Sequence, residues 1–275
     1  GRHAAAQDFP FAGVERIRVR GGFTDYQHQE IEDGQVGTTF TNKGHDARVE
    51  VQHAPIAGFR GVVGFQTSRS DFAAVGDEAF LPPSRTDSQA VFLLEEKVIG
   101  DWRLEGAVRQ EWQQASAEGQ PDADHSPVSI SGAASWRFSP GWTATLALAR
   151  SQRAPSAQEL YADGVHLATN TFEIGDANLD VETSYSAEFT LKRSQGPLTL
   201  TASAYRYNYD GYIFARTLDQ FEEFRLIQYS QADATFTGIE GQVRWAFRPG
   251  LSAAVFGDYV RAEFDEGGDL PRIPA

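Results

Sequence analysis

The 275-residue sequence contains no cysteine and no methionine. Without Cys there is no thiolate nucleophile, no Cys-type zinc site and no disulfide. Without Met there is no start residue, so a chain that opens at Gly1 is expected to be an excerpt or a processed product. Positive charge is in deficit: 24 Lys and Arg stand against 38 Asp and Glu, a net charge of −14, which argues against a nucleic-acid partner. No apolar run reaches about 18 residues and no signal peptide is visible, so a helical membrane span is excluded. That absence leaves membrane strands open, because their mark is alternation rather than mean hydropathy. G-x-S-x-G, H-E-x-x-H and phosphate-loop patterns are missing too, so neither an enzyme nor a catalytic cofactor is expected.

What the chain does have is a rhythm of hairpins with two kinds of connection. Trp142, Ala144, Leu146 and Leu148 take one parity against Thr143, Thr145, Ala147 and Ala149. The tight turn Ser139-Pro140-Gly141 precedes this run, and a long Gly-, Asp- and Asn-rich segment, Gln152–Asp180, follows it. The unit recurs about 11 times along the chain. The runs are Val14–Tyr26, Phe40–His53, Phe59 onward, Ala90 onward, Trp102 onward, Val128 onward, Trp142–Ser151, Tyr185 onward, Leu198 onward, Phe224 onward and Leu251 onward. The fourth carries Ala90, Phe92 and Leu94 as its apolar face, after a loop read as Thr67–Asp87. Helical period is confined to a turn or two near Ser156–Tyr161.

Alternation alone also suits a soluble antiparallel sheet with a core on one side. Three observations favour lipid. No helix or second set of strands remains to cover the apolar faces. Aromatic residues (Phe59, Trp102, Trp136, Phe138, Trp142, Trp245, Phe247) stand beside the tight turns, at the level of an interfacial girdle. Tight turns fall on one side and long loops on the other, which Greek-key sandwiches have no reason to do. The opposite parity is charged with both signs, so it lines water or a plug in a wide barrel. A sheet in lipid must close. About 11 strands ending in Asp269–Ala275 therefore read as part of a longer barrel. The fold class is all-β, an antiparallel meander, with residues 1–13 a leading segment and 14–275 a partial transmembrane β-barrel.

The stretch Arg153-Ala154-Pro155-Ser156-Ala157-Gln158-Glu159-Leu160-Tyr161, followed by Glu173-Ile174-Gly175-Asp176-Ala177-Asn178-Leu179-Asp180-Val181-Glu182, resembles the TonB-dependent outer-membrane receptors. In that family an R-A-P-S-x-x-E-L-Y stretch enters an extracellular loop and G-x-x-x-L-x-x-E re-enters the barrel. Asp180-Val181 stands where Lys-Pro is common. Ala204–Ile213, Gly238-Ile239-Glu240-Gly241 and Leu270-Pro271-Arg272-Ile273-Pro274 resemble further family stretches. The segments 24–32 and 164–169 look closest to its zinc-uptake branch. The resemblance implies a barrel of about 22 strands with a plug domain carrying the TonB box, neither of which is in this sequence. It further implies a Gram-negative outer-membrane location, surrounding lipid, TonB as energy source through the plug, and a metal ion or metal complex as cargo.

Zinc without Cys takes imidazole and carboxylate. Three long loops offer these groups: His28, Glu30, Glu32 and Asp33; Asp122, Asp124 and His125; Glu159, Asp163 and His166. No loop alone has two His at metal spacing, so a site needs His28, His125 and His166 to converge; otherwise each loop is solvated surface. His45 and His53 are read as structural. Tyr205, Tyr207, Tyr209 and Tyr212 are read as interfacial girdle or rim packing, with stacking on an aromatic siderophore as the alternative. A siderophore or haem receptor is the first rival to zinc uptake. A passive porin or an adhesive barrel is the second.

Overall fold

The computed structural model of the chain describes residues 2–7, 12–32, 34–77 and 79–271. Among the described residues fifteen strands form one sheet. They are β1 Arg2–Gln7, β2 Val14–Glu32, β3 Gln35–His53, β4 Phe59–Gly76, β5 Ser84–Ile99, β6 Trp102–Ala117, β7 Ala123–His125, β8 Val128–Ser139, β9 Trp142–Arg153, β10 Asp163–His166, β11 Thr171–Ile174, β12 Glu182–Arg193, β13 Leu198–Phe221, β14 Phe224–Arg248 and β15 Leu251–Phe264. The long strands pair with their sequence neighbours from β1 to β6, then through β8, β9, β12, β13, β14 and β15, all antiparallel. Short β7 lies on β6. One exception breaks the meander: β11 pairs with β14 in parallel and carries β10 beside it.

The eleven expected runs correspond to β2–β6, β8, β9 and β12–β15. The differences lie at the loop end. The segment 67–87, expected as a loop, is strand to Gly76 and again from Ser84. Phe40 extends back to Gln35, and Tyr26 forward to Glu32. Residues 2–7 of the expected leading segment pair with β2. The strands thus outrun the roughly 9–11 residues a bilayer requires, and hydrogen bonding between neighbours, not hydropathy, carries them onward.

Cross-strand register defines the two faces. Val19 lies opposite Val49, Val49 opposite Phe65 and Phe65 opposite Val91. These side chains are exposed, as are Leu146, Leu148 and Phe189 on β9 and β12. This is the apolar face that lipid covers. The other face carries Arg18, Arg48, Gln66, Arg109, Ser129 and Ser151. It is the same face on which residues 154–181 fold inward at the loop end, so it is the lumen side.

The fourth run changes face. Phe92 lies opposite Gly64 and Arg109, and its ring sits beneath the Arg48 guanidinium at 4.1 Å. Ala90, Phe92 and Leu94 therefore face the lumen, while Val91 and Leu93 face out. Both parities of residues 90–94 are apolar, so alternation carried no information there. Tyr205, Tyr207 and Tyr209 also share the lumen parity, with Tyr205 covering Gly238. They are not outer girdle. The turn-end aromatics do meet one another on the outside: Trp102 and Trp136 stack with centroids 5.5 Å apart.

Buried apolar residues are concentrated at the loop end. One cluster joins Phe40, Ala74, Phe80, Leu81 and Ala115 from the β3–β6 side to Leu160, Tyr161, Ala162 and Leu179 of the 154–181 segment.

Candidate functional site at the lumen mouth

The segment 154–181 crosses the mouth because it is tied at both sides. Ser156 caps the short helix α1 (Ala157–Tyr161) in a capping box with Glu159, which satisfies two otherwise unpaired donors. Arg153 at the end of β9 reaches both Glu159, at 2.9 Å, and Glu182 on β12, at 3.0 Å. The two motif glutamates are thus clasped by the motif arginine. Burial works against the Arg153 charge, but its hydrogen bonds to Glu159 and Glu182 outweigh that and raise its pKa.

From α1 the segment packs on the β4–β6 side. The Tyr161 hydroxyl lies 3.0 Å from the Ala115 carbonyl and 2.9 Å from that of Pro121. Burial, then the charges of Asp122 and Asp124, push this hydroxyl's pKa up. The Asp163 amide donates to the Phe80 carbonyl at 2.8 Å. Gly175 is needed here: a Cβ would come within 2.6 Å of the Leu160 backbone. The segment then crosses to β14 through the parallel pairing of β11.

Glu173 is the hub of that crossing. It is 2 % exposed and accepts from Gln158 at 2.7 Å, Tyr229 at 3.0 Å, His166 at 3.0 Å and Thr171 at 3.0 Å. Burial alone would raise its pKa. The hydrogen bonds, led by Gln158 and His166, outweigh burial and hold the carboxyl below its usual range. The same contact, after burial, pushes the Tyr229 hydroxyl up. Every donor around Glu173 aims a proton at it, so the carboxylate is a structural anion and not an open cation ligand. The sequence offers Glu173 only as the first residue of the receptor-like stretch 173–182, without a role, and does not mark Tyr229 at all. Nothing in a T-F-E-I stretch marks a buried acid; only the parallel β11 pairing buries it.

The candidate metal donors lie apart. His28, on β2, stacks on Phe40 with centroids 4.6 Å apart and stands 3.9 Å from Glu30. Glu32 ends β2, and Asp33 lies outside the described residues. His125, on β7, contacts the Leu179 carbonyl at 3.1 Å. His166 stacks flat on Phe80 at 4.2 Å and bonds Glu173. Asp122, Asp124 and Asp163 are exposed around the mouth. Among the described residues no three His, Asp or Glu side chains form a group able to hold a metal ion. Of the remaining histidines, His53 contacts Glu95 at 2.9 Å and His45 approaches the Phe23 ring.

Comparison with known proteins fits this geometry. The family model described as TonB dependent receptor-like, beta-barrel, matches residues 3–275. The chain is similar to a solved structure of the copper transporter OprC, with TM-score 0.82 and 14% identity over 99% of this chain and 48% of that one. It is similar to the FrpB iron transporter from Neisseria meningitidis (F3-3 variant), with TM-score 0.68 and 13% identity over 91% of this chain and 41% of that one. It is similar also to the Serratia marcescens hemophore receptor HasR in complex with HasA and heme, with TM-score 0.71 and 13% identity over 96% of this chain and 47% of that one. At these identities the likeness is one of fold. The chain spans about half the length of the structures it matches.

Proposed function

This chain belongs to the TonB-dependent receptor β-barrel family, and on that premise we propose that it forms part of a receptor importing a metal ion or metal complex. The family and the similar structures are outer-membrane β-barrels of Gram-negative bacteria, and that is where this chain resides. The rest of the protein, in this reading, supplies the remaining strands of a barrel of about 22 and a plug through which TonB drives passage. The observation that carries the reading is the 154–181 segment. It is held across the lumen mouth by Arg153 on one side and the Glu173 hub on the other, with exposed Asp122, Asp124 and Asp163 beside it. The complete protein is expected to capture TonB in a pull-down and to accumulate cargo only in cells with an active TonB system. Equal accumulation without TonB would indicate a porin.

Within this class the cargo we favour is zinc or another divalent cation, drawn by the acidic mouth and taken by donors among His28, Glu30, Glu32, Asp122, Asp124, His125, Asp163 and His166. A siderophore or haem is the second reading, favoured by the contacts that already occupy His28, His125 and His166. Calorimetry with zinc on the complete protein separates them. His125→Ala and His166→Ala are expected to weaken binding, and undiminished affinity in both removes these histidines as donors.

A further inference from the structure

On the lipid-facing wall, the loop-end border of the apolar band is built differently on the two halves of the sheet. On β2–β5 each outward Lys or Arg at that level has its own carboxylate: Lys43 with Asp25, Arg69 with Asp87 and Arg85 with Asp71. On β9–β15 this matching stops. Arg150 donates to the Val128 carbonyl at 3.1 Å and lies over the Tyr185 ring at 5.9 Å. Arg206 is exposed and donates to the Asn208 side chain at 3.0 Å. Among the described residues neither forms an ion pair, whereas Arg261 pairs with Glu263 at 2.8 Å. The other acids of this wall stand farther from the membrane. Asp210 is exposed, Asp233 accepts from the Gly211 amide and Asp265 from the Thr235 hydroxyl.

Register sets the three arginines side by side. Arg206 lies opposite Thr237, and Thr237 opposite Arg261. Arg150 lies opposite Tyr185, and Tyr185 opposite Asn208, the next outward residue after Arg206. Strand spacings of about 4.8 Å and a rise of about 3.4 Å per residue put the backbones of Arg150 and Arg261 about 10–12 Å from that of Arg206. Side chains this long can meet over such a span. Their height is fixed by β14, which carries Thr237 and the turn-end Trp245. The rise between those two residues is about 27 Å, or about 21 Å of height at a tilt of about 40°, and the apolar band of such a barrel is about 25 Å tall. The arginines therefore stand at its outer border.

Immediately below them the apolar wall is dented. A groove of about 660 Å³ is lined by Phe189, Leu191, Ala204, Ile239, Gly241 and Tyr259 on the outward parity. Ser203, Glu240 and Asp258 also border it, but on the lumen parity. On this face Ala204 is the residue before Arg206 and Tyr259 the residue before Arg261, so groove and arginines are about 7 Å apart along the strands. A dent in a lipid-facing wall forfeits dispersion contacts unless a chain fills it. Guanidinium groups at a headgroup level favour phosphate, which they bind through paired hydrogen bonds.

We propose that Arg150, Arg206, Arg261 and the groove beneath them form a binding site for a phosphorylated lipid of the outer leaflet. The arginines take the headgroup phosphate and one acyl chain lies in the groove. The site rests on the outward assignment of this wall and on the loop end facing the cell exterior, not on the cargo.

The test uses the complete protein, stripped of lipid in detergent, with diphosphoryl lipid A as the probe and native mass spectrometry as the readout. One lipid is expected to be retained. R150Q/R206Q is expected to weaken retention about tenfold and R261Q severalfold. R69Q, on the matched half of the wall, should leave it unchanged. Gly241→Leu fills the groove from a position where a Cβ makes only ordinary contact, and it should weaken retention with all three arginines present. Lipid A with its phosphates removed keeps the acyl chains and should bind about tenfold less well. The phosphate arm needs no variant, so misfolding of R150Q/R206Q cannot hide the result. Equal retention of the two lipids overturns the proposal, as does retention that R150Q/R206Q and Gly241→Leu both leave intact. A protein dimer that retains no lipid and that Gly241→Leu dissociates overturns it in favour of a second copy of this chain. Loss of TonB-dependent uptake with lipid retention intact counts against the transport reading alone.

Discussion

The turn end and the loop end of the same strands are built on opposite rules. At the turn end the connections are short, Gly58, Gly100, Gly141 and Gly250 take positive φ, and large side chains such as Trp102, Trp136 and Trp245 point outward and stay exposed. Their burial is left to lipid. At the loop end the strands outrun the membrane and the chain buries apolar groups against itself, from Phe40 and Ala115 to Leu160 and Leu179. The difference teaches where protein packing, rather than solvent, decides structure. Substitutions at the mouth should act through internal contacts, and those at the turns through backbone conformation and the membrane interface.

The largest expected effect is at Glu173. Glu173→Leu strips Gln158, His166, Thr171 and Tyr229 of their common acceptor and should destabilise the cover by roughly 3 kcal/mol. Hydrogen exchange of the β10–β11 amides would then accelerate on the order of 100-fold, with the β8–β9 amides unaffected. Equal acceleration in both would erase the distinction between the ends.

A glycine pair sharpens it next. Gly175→Ala drives a methyl into the Leu160 backbone and should cost about 1–3 kcal/mol, read as proteolysis within 154–181. Gly250→Ala meets open space but keeps φ at +79°, so it should cost only about 1 kcal/mol, read as global unfolding with the cover protected.

Acid should then separate the ends without mutation. The folded Glu173 carboxyl is held below its usual value. Its contribution is complete above the unfolded value of about 4.3 and is lost as pH falls through the lower, folded value. Exchange protection of β10–β11 should therefore be flat from neutral pH to about 5 and fall below 4. Glu173→Gln should show no such fall.

The smallest effect belongs to the turn end. Trp136→Ala removes the stack on Trp102 and should cost about 1 kcal/mol of folding into lipid vesicles, with the cover's proteolysis unchanged.

Much of this division was legible in the sequence. Leu146 and Leu148 alternate against Thr145 and Ala147, so β9 had a readable face; so did β12, through Phe189 against Glu188. The R-A-P-S and G-D-A-N-L stretches marked where the mouth segment begins and ends, and helical period near Ser156–Tyr161 marked its helix. Legibility failed where local pattern does not govern. Residues 90–94 are apolar on both parities, and only pairing with Gly64 and Arg109 sends Phe92 inward. Ser68–Val75 reads as loop because it is polar and small, yet neighbours on both sides supply its hydrogen bonds. Tyr205–Tyr209 alternate with Arg206 and Asn208, and composition alone cannot say which set meets lipid. Among the candidate donors the sequence could name His166, but not that Phe80 and Glu173 would hold it.

The central claim is that one end of these strands is outside the cell and the other inside the periplasm. The absence of cysteine from this sequence makes site-specific labelling direct. Asp163→Cys, on the exposed mouth segment, and Gln195→Cys, in the exposed turn after β12, would be treated in intact cells with a membrane-impermeant maleimide. The account predicts labelling of Asp163→Cys in intact cells and of Gln195→Cys only after the outer membrane is permeabilised. Labelling of Gln195→Cys in intact cells, with Asp163→Cys protected, would contradict it.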